Sequence, residues 1–230
     1  MSRPTAFEDI RGLLLDLDGT LCDSVPDLAF SIDAMLARLG RSPAGEAAVR
    51  DWVGNGVATL VARALAASGA PPADTESHSE ALAIFSQIYR AHNGRRSRLY
   101  PGVAATLARF SNNDLRLACV TNKPREFTLD LLAELGIRAL FSVVVAGDDA
   151  RARKPDPAPL ELAMARLELG RRQCLFVGDS VHDVEAARAA GVAVICVPYG
   201  YNHGVDIGEA HPDAVVESFS DLRRFVDRRH

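Results

Sequence analysis

The chain alternates short apolar runs with longer stretches of helical spacing. Runs at 12–18 (GLLLDLD), 116–122 (RLACVTN), 142–147 (SVVVAG), 174–180 (CLFVGDS) and 193–198 (AVICVP) are bounded by turn residues. Their near-continuous hydrophobicity predicts strands buried on both faces. Helical patterns lie between them at 125–135, closed by Gly136, at 157–169, opened by Pro157, and at 181–190, closed by Gly191. Strand and helix alternating in this way predict an α/β fold with a Rossmann-like parallel sheet covered on both sides.

The segment from 26 to about 93 breaks the alternation. It carries helical stretches at 26–39, 57–68 and 76–92, with breaks at GRSPAG and SGAPPAD and no strand pattern. Its return, GRRSRLYPGV, is polar and then Pro-Gly, the composition of a hinge. The expectation is a helical cap domain over 21–96, inserted after the first strand of a core domain made of 1–20 and 97–230.

Composition narrows the partners. The 230 residues carry a net charge of −4 and no basic stripe with interleaved aromatics, so neither nucleic acid nor an anionic membrane is expected and a small molecule is. No apolar run reaches bilayer length, and MSRPTAFEDIRG lacks the apolar core of a secretory signal. A cytoplasmic protein is expected, as a monomer or homodimer. Cys22, Cys119, Cys174 and Cys196 show no CxxC spacing, and three of them lie in strand-like runs, which points to buried thiols rather than disulfides or a zinc site.

Ligands of parallel sheets bind beyond the carboxyl ends of the strands, and the residues there are chemically selected. The first strand ends in Asp16 and Asp18, the second in Thr121 and Asn122, the fourth in Asp179, and Lys154 follows the third. Residues two apart share a face of a strand, so Asp16 and Asp18 project together while Leu17 turns to the core. Each feature has a plain structural explanation when taken alone. Asp18-Gly19 is a common turn dipeptide, a strand-end threonine serves β-propensity or capping, and Ser180-x-x-Asp183 has the spacing of a capping box. Lys154 carries more information, because Lys123 and Lys154 are the only lysines among 26 basic residues. A chain that otherwise uses arginine marks a place where a compact ammonium matters.

DLDGT at 16–20, TN at 121–122, Lys154-Pro155 and GDSxxD at 178–183, in this order, resemble the four motifs of the haloacid dehalogenase superfamily. The resemblance implies phosphoryl transfer with Mg²⁺ as cofactor, held by Asp16, Asp179 and the backbone carbonyl of Asp18, with Asp183 orienting metal waters or Lys154. It implies that Asp16 is the nucleophile and that Asp18 first protonates the leaving alkoxide and then activates water. Lys154 would hold Asp16 and a phosphoryl oxygen, while Thr121 and groups around Gly19 and Asn122 would bind the other oxygens. Asp18 argues against dehalogenation, since a departing halide needs no acid.

DSVPDL at 23–28, WVGNGV at 52–57, RLYPGV at 98–103, KPDPAPL at 154–160 and PYGYNHG at 198–204 further resemble the phosphoglycolate phosphatases. His182 departs from the pattern, since many relatives carry Asn there. The implied substrate, 2-phosphoglycolate, bears a carboxylate close to the ester, for which Asn55, in the Gly54-Asn55-Gly56 loop, and Arg63 are the candidate donors. Other readings are a sugar-phosphate phosphatase or phosphomutase on the same scaffold, and a non-catalytic binding protein.

Overall fold

The computed structural model describes residue 7, residues 9–69 and residues 75–226. Most of the expected break at 68–74 and the extreme termini of the expected core domain lie outside the described residues. The first elements in the chain are β1 (Gly12–Leu15), β2 (Cys22–Asp23), α1 (Val25–Arg38), α2 (Glu46–Trp52), α3 (Val57–Ala67), α4 (Thr75–His92) and β3 (Arg98–Leu99). There follow α5 (Val103–Asn112), β4 (Arg116–Val120), α6 (Arg125–Glu134), β5 (Val143–Val145), α7 (Ala158–Leu167), β6 (Cys174–Gly178), α8 (Val181–Ala190), β7 (Ala193–Cys196) and β8 (Ala214–Val215).

The main sheet is parallel, in the order β5-β4-β1-β6-β7-β8. The α/β expectation holds, with an edge strand, β8, that is too short to carry a periodic signal. The pleat sends successive leucines of β1 to opposite faces. Leu13 and Leu15 pack with Leu107, Phe110, Leu131 and Phe219. Leu14 packs on the other face with Leu160, Ala163, Val184 and Ala187.

Connectivity decides where the strand ends can form a site. After β1 the chain builds outward through β4 and β5 on one side, then returns to lay β6 against the other side of β1. The order therefore reverses at β1, and beyond such a switch point the loops diverge and leave a crevice. Register aligns the three central strands, with Leu15 opposite both Cys119 and Val177. Thr121 and Asp179 thus emerge level with Leu17, one residue beyond Asp16.

Helices α1 to α4 bury a separate apolar cluster that includes Ile32, Met35, Val61, Phe85 and Tyr89 and also takes in Phe127 and Tyr201. Helix α2 escapes the sequence pattern because its seven residues, EAAVRDW, bury only Val49. The chain crosses between the helical layer and the sheet layer twice, and the crossings pair as an antiparallel ribbon, Cys22 opposite Leu99 and Asp23 opposite Arg98. Asp27, fully buried in α1, binds the returning segment. Its carboxylate accepts from the backbone N–H groups of Gly94 (3.0 Å), Arg96 (3.0 Å) and Ser97 (2.8 Å) and from the Ser97 hydroxyl (2.6 Å).

Removing that carboxylate would leave buried donors without a partner, which costs more than the bonds themselves. Asp27→Ala is expected to lower the free energy of unfolding by about 3 kcal/mol, and Asp27→Asn, which keeps one carbonyl acceptor, by about half as much. Urea denaturation checks both values; a loss below about 1 kcal/mol for the alanine variant would show that water replaces the carboxylate.

Candidate active site

The turn after β1 sets the two leading acids. Asp16 still belongs to the ladder, its N–H donating to Val177 O at 2.9 Å, and the chain then closes on itself with Leu21 and Cys22 N–H groups donating to Leu17 O. Leu17 is fully buried. Gly19 makes the turn possible: its φ is +88°, and a Cβ there would lie 2.3 Å from Asp179 Oδ2. Any side chain would displace the acid at the end of β6.

Lys154 is at the centre of the site. Its Nζ lies 2.8 Å from Asp16 Oδ1 and 2.7 Å from Asp183 Oδ1. The contact to Asp16 is an ion pair, and apart from it Asp16 Oδ1 is buried without a hydrogen-bond partner among the described residues. Asn122 holds the backbone of Lys154 from both sides, its Oδ1 accepting from Lys154 N at 3.0 Å and its Nδ2 donating to Lys154 O at 3.0 Å.

Asp183 combines the capping role its spacing suggested with the contact to Lys154 that the family resemblance implied. One oxygen meets Lys154, and the other accepts from the N–H groups of Asp179 (3.1 Å) and Ser180 (3.0 Å) and from the Ser180 hydroxyl (2.7 Å), closing the capping box of α8. Asp179 is held by the Thr20 hydroxyl at 2.6 Å and Tyr201 N–H at 2.7 Å. Gly200 leaves it room, since a Cβ there would fall 2.3 Å from that of Asp179.

One oxygen from each of Asp16, Asp179 and Asp183 lies within 4.8 Å of the others, and all three residues are buried. Asp16 and Asp183 share one ammonium, and Asp179 adds a third buried carboxyl beside them. Burial, reinforced by the charges of Asp183 and Asp18 and opposed by Lys154, pushes the Asp16 carboxyl up to about 7. Burial and the neighbouring Asp183 and Asp16 push Asp179 well above the carboxylate range. Burial also acts to raise Asp183, but Lys154 and the Ser180 donors outweigh it and hold that carboxyl low. Acids that resist ionisation around an unsatisfied oxygen fit a cation, and an all-oxygen donor set suits a hard one.

Asp18 stands apart from this cluster. Its carboxylate meets Lys123 Nζ at 3.0 and 3.2 Å and the Ser24 hydroxyl at 2.5 Å, and Lys123 in turn lies 5.1 Å from the centre of the Tyr89 ring. Lys123 is the site residue that sequence reasoning missed. Its signal was present in its being one of two lysines, but only the fold shows what it faces. Tyr201 was missed likewise, although its hydroxyl donates to Asp23 Oδ1 at 2.5 Å and accepts from Ser24 N–H at 2.9 Å.

Asp16, Asp18, Thr121, Asn122, Lys123, Lys154, Asp179 and Asp183 line one small cavity of about 50 Å³. The helical layer covers it with Leu28, Val53, Gly54, Gly56, Val57 and Leu60. Asn55 and Arg63, expected as donors to the substrate, are not among the lining residues. Arg63 donates to Trp52 O at 2.5 Å and Asn55 Oδ1 at 2.9 Å, and Asn55 Nδ2 lies 2.8 Å from His182 Nε2. Their polar groups are already engaged with protein partners.

Comparison with known proteins agrees with this geometry. A model of the haloacid dehalogenase-like hydrolases matches residues 13–197. Phosphoglycolate phosphatase of Nitrosococcus oceani is 44% identical over 216 residues, covering 94% of this chain and 96% of that protein. Its counterpart in Yersinia pestis is 46% identical, covering 94% and 93%. The structure of a protein described as a predicted phosphoglycolate phosphatase from Haemophilus somnus superposes with a TM-score of 0.90 at 35% identity, covering 94% of this chain and 97% of that one. A CbbY mutant from Rhodobacter sphaeroides, solved with xylulose-(1,5)bisphosphate, gives 0.79 at 25% identity, covering 93% and 96%. Matched by the family model over most of its length and by relatives of 44% and 46% identity over nearly the whole chain, this chain belongs to the haloacid dehalogenase-like hydrolases.

Proposed function

We propose that this enzyme is a phosphoric monoester hydrolase that converts 2-phosphoglycolate to glycolate and phosphate through an aspartyl-phosphate on Asp16. The observation that carries the reading is the buried cluster in which Asp16 and Asp183 share Lys154 and Asp179 adds a third carboxyl, with Asp18 beside it. The high identity to phosphoglycolate phosphatases over nearly the whole chain supports the choice of substrate.

In this reading residues 21–96 act as a cap over a core of 1–20 and 97–230. Asp16 attacks phosphorus, and Lys154 keeps that carboxylate oriented while meeting a phosphoryl oxygen. Thr121 and the backbone around Gly19 offer donors to the remaining oxygens. Asp18, held by Lys123 and Ser24, lies on the leaving-group side, gives a proton to the departing alkoxide and later takes one from water. Asp179 and Asp16, with Asp183 behind them, would hold Mg²⁺, which when bound supplies the positive charge that lets a carboxylate approach a phosphate dianion. The acids occur together as a working set, so a binding role without catalysis has no support. No helix among the described residues is long and apolar enough to cross a membrane, and we place the reaction in the cytoplasm.

Asp16→Asn keeps the shape of the side chain but removes its nucleophilicity. Phosphate release is expected to fall by about a thousandfold or more while the circular dichroism spectrum is unchanged; near-native release at saturating Mg²⁺ would refute covalent catalysis. On a panel of phosphate monoesters, kcat/KM for 2-phosphoglycolate should exceed that for sugar phosphates by at least tenfold, and the reverse order would favour the sugar-phosphate reading.

The raised acids also give a pH signature. With Asp16 near 7 in the fold against an ordinary 3.8, the metal-free folded state keeps a proton that the unfolded chain has released. The contribution of Asp16 to stability is therefore fully present below the ordinary value and is lost as pH rises toward 7. Cation and protons compete for the same oxygens, so the rise in melting temperature on adding Mg²⁺ should be larger at pH 8 than at pH 5. Asp179→Ala should abolish most of that rise, and equal shifts at both pH values would mean that the ion binds elsewhere.

A further inference from the structure

We infer that His182 is the positioning residue through which the sheet layer fixes the loop that covers the cavity, by a chain of contacts running His182 to Asn55 to Arg63 to the Trp52 carbonyl. The inference rests on the phosphatase reading above and adds to it the determinant of substrate size. Chemistry fixes the direction of every bond in the chain. Arginine only donates, so the atom it meets on Asn55 at 2.9 Å is the carbonyl oxygen. The amide nitrogen therefore points to His182 Nε2 at 2.8 Å, and because an amide nitrogen donates, Nε2 accepts. His182 is thus held as the tautomer protonated on Nδ1, which is buried and has no hydrogen-bond partner, with Glu185 Oε2 3.9 Å away. The ring is oriented toward the loop by the Asn55 contact.

The covering loop is held at further points: Gly54 O accepts from Asn122 Nδ2 at 3.1 Å, and His203 Nδ1 lies 2.6 Å from Asp51 O. Between these points Val53, Gly54 and Gly56 form a wall of the cavity, to which His182 itself contributes. Asn122 meets the loop through the backbone carbonyl of Gly54. His182 meets it through the Asn55 side chain, whose other end is held by Arg63 on α3. Losing any link frees the same wall, so the cavity loses its grip on a short substrate and gains room for a longer one.

A double-mutant cycle on the full-length enzyme tests this, with 2-phosphoglycolate and ribose 5-phosphate as the short and long esters. His182→Ala and Arg63→Ala should each lower kcat/KM for 2-phosphoglycolate by about tenfold, mainly through KM, and leave or raise it for ribose 5-phosphate. His182 and Arg63 meet only through Asn55, yet the double variant should be no worse than either single within about threefold. His182→Gln, whose terminal oxygen can accept from Asn55, should recover most of the loss. Additive losses, no recovery by glutamine, or a shifted Mg²⁺ titration midpoint in His182→Ala would overturn the proposal, the last by placing His182 in the service of the neighbouring acids. If His182→Ala does not fold, Asn55→Ala, which removes the middle link, replaces it and must give the same loss as Arg63→Ala. Should the wild type prefer another ester, the substrate assignment fails, and the cycle is then read on that ester.

Discussion

The site depends on one buried ammonium shared by carboxylates that outnumber it. Lys154 lies within 2.8 Å of Asp16 and 2.7 Å of Asp183, and Asp179 adds a third carboxyl in the same small volume. Such charge density is expensive away from water. The fold offsets part of the cost with donors, placing Thr20 and Tyr201 N–H on Asp179 and the start of α8 on Asp183. Asp16 receives the fewest hydrogen bonds, and it is the group proposed to react. An acid satisfied by several donors is a poor nucleophile, whereas one held mainly by an ion pair keeps a lone pair available.

The glycines around this cluster follow from the same crowding. Gly19, Gly178 and Gly200 each stand where a Cβ would fall within 2.3 to 2.5 Å of Asp179 or Asp183. They let the backbone approach the acids closely enough for its N–H groups to help hold the charge. The tertiary structure adds a second layer of control from the helical side. Ser24, Tyr89 and Tyr201 reach Asp18, Lys123 and Asp23, so the acid proposed as proton shuttle is positioned by residues of both layers.

Much of this was legible before any coordinates. The β-strands read as apolar runs because the central strands are covered on both faces, and the helices flanking them carried Pro at the start or Gly at the end. Helix α2 and strand β8 were not legible, because seven and two residues respectively are too few to establish a period. Asp16, Asp18, Thr121 and Asp179 could be picked out because they follow the ends of strands of one parallel sheet, where adjacency along the edge follows from topology, whereas Lys154 stood out as one of two lysines and Asp183 by its spacing from Ser180.

Side-chain pairing between distant segments was not available from the chain. Asp18 is separated from Lys123 by 105 residues and Asn55 from His182 by 127, and no local spacing encodes such contacts. Sequence reasoning therefore assigned Asn55 and Arg63 to the substrate, whereas the folded chain directs them to each other, to Trp52 and to His182. The sequence by itself determined which residue types sit at the ends of the strands, because strand period and burial are local properties. Only the tertiary structure decided which of those groups share a proton, a charge or a wall, because that depends on how two separately packed layers meet.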